Sequence, residues 1–401
     1  MYYNIKKHKD FFYLNLFVYL IPFTIILGNL AINILSTICV ILFIVNILNK
    51  NYFFKYKNFI YIFFLFSILY LINIFYSSNH SLSSVSYIGF FRYYFLFLCI
   101  LFCLNEIENF KNVFLNIIFY LLLFVILDVF IQHLFHVDIL GNKIDSSHGR
   151  RLSGPFGDEK VAGTFITKLF FVSLILFYKK NYFKKIIFPL IFLTFTAVIL
   201  TNERSATIMF MSSVIIFITF YKFKLVHKML FFLSLIFLIF TVLYTNDNLK
   251  KHFIEIPLKA FGDNHHKAHF LTAYEIYKDN KIIGSGVKTY REVCSNDDYN
   301  SIDTKFSKYR CSTHPHNIYL EILSEAGIIG LGIFFLINSY FLYFFVNNYL
   351  KKSKEIEVLV LLFCSFFVLF WPLQTTGAFF STWNGIFFWF FYAFFFNYKK
   401  N

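Results

Sequence analysis

The chain has 401 residues, of which 58% are hydrophobic, 23% aromatic and only 15% charged. A soluble globular domain carries about 25% charge, and 62 Phe with 28 Tyr leave too few polar side chains to cover a water-soluble surface of this size. These figures exclude an ordinary soluble domain, disorder and coiled coil. The net charge of +15 would suit nucleic acid only if the basic residues gathered on one folded face. They fall instead as short Lys clusters between apolar runs, so no nucleic acid partner is expected and membrane lipid is the main solvent.

Taken in chain order, the basic start from Met1 to Asp10 precedes an apolar stretch far longer than the core of a signal peptide, with no small-residue cleavage site, and reads as the lead to a retained first span. Crossing about 30 Å of hydrocarbon at about 1.5 Å per residue takes roughly 20 apolar residues. The uncharged stretch 11–49 therefore holds two spans that turn near Gly28-Asn29. The same arithmetic predicts twelve spans: 11–28, 31–48, 58–76, 86–104, 112–134, 161–178, 186–201, 204–221, 226–244, 317–347 (a short amphipathic lead-in, then the span), 356–375 and 378–397. The fold expected is an all-α integral membrane protein of about twelve transmembrane helices, a single polytopic domain over 1–401, with one large loop, 245–315, between spans nine and ten.

If the N-terminus is cytoplasmic, the inside loops collect Lys6, Lys7 and Lys9, then Lys50, Lys55 and Lys57, Lys111, Lys179 to Lys185, Lys222 to Lys228, Lys351 to Lys354, and Lys399-Lys400. The short outside loops carry almost none. The positive-inside rule then fixes orientation, places both termini in the cytoplasm and favours an even number of spans. Two outside segments, 135–160 and 245–315, are the places where polar chemistry can gather.

A charge at bilayer depth costs at least about 2.5–3.5 kcal/mol, so such residues face the bundle interior or a wet cavity. Here they are Arg92, Asp128, Lys168 and the pair Glu203-Arg204, and all but Lys168 fall towards the outer leaflet. Interhelical pairing or snorkelling would explain any one of them alone; their shared depth favours a site. The 135–160 loop ends in Arg150-Arg151-Leu-Ser-Gly-Pro-Phe-Gly, adjacent forked donors beside open backbone, which suits a phosphate or carboxylate. An ordinary solvated loop, neutralised by Asp158-Glu159, is the competing reading.

Cys39, Cys99, Cys103 and Cys364 lie inside apolar runs and read as small buried hydrophobes. Cys294 and Cys311 instead bracket a polar insert in the long loop, where a disulfide is expected to persist. Cys311, His314 and His316 are close together, but no further carboxylate or His pair has zinc spacing, so no metal is expected. After Cys311 the sequence Ser-Thr-His314-Pro-His316-Asn317-Ile-Tyr-Leu-Glu321 describes a short amphipathic helix at the outer interface. A neutral imidazole there can take a proton from a sugar hydroxyl, although an interfacial, helix-capping role without chemistry fits the local sequence slightly better.

At these residues the chain resembles the O-antigen ligase and polymerase superfamily of bacterial polytopic membrane glycosyltransferases. The family pattern of His, then Asn, Ser or Gln, nine residues and Gly-x-x-Gly is met by His316-Asn317, Ile318 to Ala326, and Gly327-Ile-Ile-Gly330. Thr201-Asn-Glu203-Arg204-Ser-Ala206 resembles the family's short outer turn with a required arginine, and Lys281-Ile-Ile-Gly284-Ser-Gly286 resembles the segment that closes the first part of its large periplasmic loop. Together these cover roughly residues 150–335; the early and late spans match only in hydropathy.

The resemblance implies an inverting, metal-independent glycosyl transfer without cofactors, from an undecaprenyl-diphosphate-linked glycan to an acceptor hydroxyl, in the bacterial inner membrane with the site facing the periplasm. Carried over, His316 is the general base and Arg204 binds the donor diphosphate, with His314, Asn317 and Glu203 in support. A second arginine of the family falls here at His266, Lys267 and His269, so its role passes to Arg291 or Arg151, with Arg92 a further basic candidate. The typical Pro before the Gly-x-Gly segment is Lys281 in this chain. A ligase acting on lipid A-core is favoured over a polymerase acting on another glycan by the complete histidine-to-glycine spacing. A transporter or lipid-glycan flippase would instead place polar residues near the midplane of two related halves, which this sequence does not.

Overall fold

A computed structural model describes residues 11–49, 53–144, 151–259, 262, 264–353, 355–373 and 377–400. Within them the chain is helical, and the only β pairing is an isolated bridge between Val137 and Lys143. Helices satisfy every backbone N–H and C=O internally, which is what a chain in lipid requires. Each of the twelve expected spans overlaps a helix, from Phe12–Leu27 to Thr382–Lys400, though the bounds differ and residues 374 and 375 of the expected span 356–375 lie outside the described residues. Among the described residues, seven helices are long and apolar enough to cross a membrane: Asn29–Ile47, Lys55–Phe75, His80–Glu106, Phe110–Phe135, Phe183–Leu200, Leu225–Thr245 and Ile318–Leu350. Phe12–Leu27, Ala162–Leu176, Arg204–Phe220 and Ile356–Phe370 are apolar but fall short of that length. Arg150 lies outside the described residues.

The chain divides into two compact units. The first comprises 1–111, 262–343 and 372–401. Its apolar centre is helix His80–Glu106 against Thr382–Lys400, where Tyr94 meets the Trp389 ring edge to face at 4.9 Å, an arrangement that adds to simple area burial. Asn79 starts the first of these helices by accepting from Leu82 N–H at 2.9 Å.

In the same unit, helix Ile318–Leu350 is broken at Gly327, whose φ of 65° and ψ of −168° are not helical. The break is filled from the long loop. Ile328 N–H donates to the Lys281 carbonyl and Ile329 N–H to that of Ile282. In return Ser285 N–H donates to the Ser324 carbonyl at 2.9 Å and Gly286 N–H to that of Glu325 at 3.0 Å. The Glu325 carboxylate accepts from Lys288 N–H at 2.7 Å and Tyr290 N–H at 3.1 Å, and Asn73 ties both strands of the crossing through Ile283, Glu325 and Val287. Two backbones this close leave no room for side chains: a Cβ on Gly284 would land on the Glu325–Ala326 peptide, and one on Gly327 on the Ile282 carbonyl. Gly284 and Gly327 are thus two halves of one contact.

The second unit comprises 112–261 and 344–371. Helix Ile356–Phe370 packs on Ala162–Ser173 and on Arg204–Phe220, with Phe171, Phe210 and Phe217 forming the aromatic layer between the latter two. Helix Leu225–Thr245 is largely exposed along its apolar length, with only Phe231 and Leu235 buried, as a lipid-facing helix would be. Asp128 is fully buried and accepts from Ile139 N–H at 2.7 Å, so this charge at membrane depth holds the start of the following loop.

Gly284→Ala combines a left-handed φ of 84° with a backbone clash, and should destabilise the first unit by about 2–4 kcal/mol. Gly332→Ala meets nothing within 4 Å and should be neutral or gain up to about 1 kcal/mol. Thermal unfolding of the two detergent-solubilised variants checks this; equal midpoints would contradict the crossing.

Candidate active site

His316 sits where the long loop enters helix Ile318–Leu350, with a positive φ of 57°. Histidine tolerates this left-handed region better than most residues, but the conformation is uncommon and is held by its surroundings. Asn317 supplies part of that hold: its side-chain oxygen accepts from Tyr319 N–H at 3.0 Å and Leu320 N–H at 3.2 Å, and so caps the helix. Its observed contacts are those of a cap.

The His316 ring is surrounded by three others. Ring centroids lie 4.2 Å away for His314, 5.2 Å for His269 and 5.3 Å for His266. His316 Nε2 is 3.2 Å from the Ser312 hydroxyl, and its buried Nδ1 has no hydrogen-bond partner among the described residues. Burial, and then the neighbouring His314, His266 and His269, push the proton affinity of His316 down to a pKa of about 3. At neutral pH the ring is therefore uncharged, with a lone pair available.

The position of His269 depends on the disulfide that joins Cys294 to Cys311 across a sequence separation of 17, with Cα atoms 5.3 Å apart. It holds Arg310 against the short helix Tyr290–Val293. Arg310 Nε donates to the Cys294 carbonyl at 2.8 Å, and the Arg310 carbonyl accepts from the Tyr290 hydroxyl at 2.8 Å and lies 3.1 Å from His269 Nδ1. A small core of Ala273, Ile276, Tyr290, Val293 and Tyr299 packs beneath.

Elsewhere in the same unit, Arg291 is exposed, while Arg92 is part-buried and bonds Asn33 and the Tyr93 hydroxyl, its guanidinium 5.0 Å from the Tyr93 ring. Both lie near Lys288, whose pKa is lowered by burial and then by repulsion from Arg291, with Arg92 adding to it. The first unit thus brings His314, His316 and Asn317 together, and separately Arg92 and Arg291.

Arg204, Glu203 and Arg151 belong to the second unit. Glu203 is a structural clamp: its carboxylate accepts from Gly163 N–H at 2.6 Å and from the Thr164 hydroxyl at 2.9 Å, closing the start of helix Ala162–Ser173. Burial raises its pKa to about 7 against these bonds and the nearby Arg151. Among the described residues no ion pair engages Arg151 or Arg204. His252, within the π-helical turn Lys251–Glu255, lies close enough to both to feel them: burial, then Arg204 and Arg151, lower its pKa to about 4, and its buried Nε2 has no hydrogen-bond partner among the described residues. Two arginines with no ion pair among the described residues, beside an imidazole, form a candidate anion-binding arrangement.

The comparisons with known proteins bear on both clusters. Residues 189–335 match the family model described as O-Antigen ligase. Over this segment the chain is similar to the O-antigen ligases. The O-antigen ligase segment contains Glu203, Arg204, His252, the histidine cluster, Arg291 and the glycine crossing, whereas Arg92 and Arg151 fall outside it. Together with the long apolar helices, this match supports a membrane enzyme similar to the O-antigen ligases and polymerases. No curated protein matches the chain.

Two residue groups escaped the sequence reading as site members. His252 lies in a stretch with no motif, and its only signal is a histidine in the long loop. His266 and His269 stand three apart at the start of helix His265–Asp279, a spacing that places them on one helical face, which was the available clue.

The cluster has a pH signature. His316 has a folded-state pKa of about 3, below the unfolded value of about 6.5. Its contribution is whole above 6.5, shrinks as pH falls because the unfolded chain takes up a proton first, and is gone once pH passes 3. At pH near 5 the wild type should have lost about 1–2 kcal/mol that His316→Gln does not lose. Thermal midpoints of both proteins at pH near 7.5 and 5 test this, and parallel losses would refute it.

Proposed function

We propose that the protein is a bacterial inner-membrane glycosyltransferase of surface-polysaccharide assembly, an O-antigen ligase that moves a glycan from undecaprenyl diphosphate to a lipid A-core hydroxyl. In this reading all twelve helical segments cross the membrane, both termini are cytoplasmic, and the 245–315 loop is periplasmic. The observation that carries it is the uncharged His316 at the head of the Gly-x-x-Gly helix, within the segment of the O-antigen ligase match.

In the reaction His316 takes the proton of the acceptor hydroxyl. The hydroxyl oxygen attacks the anomeric carbon from the face opposite the diphosphate, so configuration inverts. The bond from that carbon to the phosphate oxygen breaks, and its electron pair leaves with the diphosphate. Arg204 and Arg151 bind the diphosphate and stabilise the charge that develops on it, an interaction stronger in the transition state than in the ground state. Arg291 and Arg92 are further basic groups for the anionic donor. Because His316 itself accepts the hydroxyl proton, the mechanism calls for no metal-bound base.

His316→Ala should lower transfer by about 10²–10⁴-fold and Arg204→Ala by about 10²–10³-fold, scored in cells as glycan attached to lipid A-core. Loss of attachment while lipid-linked polymer is still made is the ligase result. Loss of chain extension would move the assignment to a polymerase with the same donor. Wild-type surface glycan in both variants would overturn the enzyme reading.

A further inference from the structure

A base that takes the acceptor proton must release it before the next turnover, and His316 is poorly placed to do so alone. Its ring is part-buried, Nδ1 has no partner among the described residues, and three imidazoles around it disfavour a lingering positive charge. Two of those imidazoles come from one helix. His266 and His269 stand at positions i and i+3 of His265–Asp279, with ring centroids 5.3 and 5.2 Å from that of His316 and 6.3 Å from each other. Rings at these separations exchange a proton through a direct hydrogen bond of about 3 Å or through one water.

The two differ in a way that gives the pathway a direction. His269 is buried, and its Nδ1 lies 3.1 Å from the Arg310 carbonyl. A carbonyl oxygen only accepts, so Nδ1 carries the hydrogen and Nε2 keeps its lone pair. His266 is exposed. The Cys294–Cys311 disulfide and the Tyr290 hydroxyl fix the Arg310 carbonyl that orients His269. The molecule thus presents a buried ring with a defined proton-accepting nitrogen beside His316, followed by a ring in contact with water.

We propose that His269 and His266 are a proton relay for His316: the proton removed from the acceptor hydroxyl passes to His269 Nε2 and leaves to water through His266. One proton enters the chain of rings and one leaves per transfer, while the electron pair of the broken glycosidic bond departs on the diphosphate. This rests on the glycosyl-transfer reading of His316.

The test uses the full-length protein in lipid vesicles, with the polyprenyl-diphosphate-linked glycan and the acceptor glycolipid extracted from the source cells. The readout is the initial rate of polyprenyl diphosphate release. His269→Asn keeps a side-chain donor for the Arg310 carbonyl but removes the relay nitrogen, and His266→Gln changes an exposed position. Each should lower kcat by about 10–100-fold and leave the donor KM within about twofold, and added imidazole should recover much of the rate. Wild-type kcat in both variants, or a loss carried by KM without imidazole rescue, overturns the relay. His316→Ala in the same assay separates the two ideas. If it turns over at the wild-type rate, the glycosyl-transfer reading fails; if it is inactive while His269→Asn and His266→Gln are unimpaired, the relay alone fails.

Discussion

The crossing of two backbones at Gly284 and Gly327 is the constraint on which the His316 region depends. A helix interrupted in an apolar setting leaves N–H and C=O groups that cost several kcal/mol each unless they find partners. Here the partners come from residues 281–290 of the long loop, and the exchange is mutual: Ile328 and Ile329 donate to the loop, while Ser285 and Gly286 donate to the helix. Such a contact forms only where neither strand has a Cβ in the way. The Glu325 carboxylate and the Asn73 amide then satisfy the remaining groups. The loop is thereby fastened to the helix that begins just after His316, and the disulfide fastens its other end to the stretch just before it.

Electrostatics divides the labour between two clusters. Around His316 the groups are imidazoles, and its own partial burial beside them keeps His316 deprotonated. Around Arg204 the arginines are cationic, and the carboxylate of the adjacent Glu203 is already engaged by Gly163 and Thr164. A carboxylate left unengaged beside the arginines would have neutralised them. Its use as a helix clamp leaves them for an external anion, the condition for binding a phosphorylated donor.

Much of this was legible in the sequence. The all-helical, apolar character emerges from residue counts because helix rise and hydrocarbon thickness are fixed lengths, although only seven of the twelve expected spans are matched by helices long and apolar enough to cross among the described residues; the pairing of Cys294 with Cys311 follows from their being the two cysteines in polar sequence. The spacing from His316 to Gly327 and Gly330 could be read too, though its meaning could not: the sequence does not say that Gly327 answers Gly284. Equally hidden was the convergence of His266 and His269 on His316, because it arises when the disulfide and the Tyr290 hydroxyl fold the loop back over some fifty residues of chain. Glu203 and Asp128 looked like members of a site because they are charges at membrane depth, and both turn out to accept backbone N–H groups. A buried carboxylate serves either purpose, and only its partners tell which.

The central claim is direct displacement of a lipid diphosphate by an acceptor oxygen that His316 has deprotonated. Its most direct test is the chemical identity of the products when purified protein in vesicles consumes a lipid-linked glycan of known anomeric configuration. The account predicts release of intact polyprenyl diphosphate and, by NMR, a new glycosidic bond of the opposite configuration. Retained configuration, or release of polyprenyl monophosphate with a sugar phosphate transferred, would contradict it.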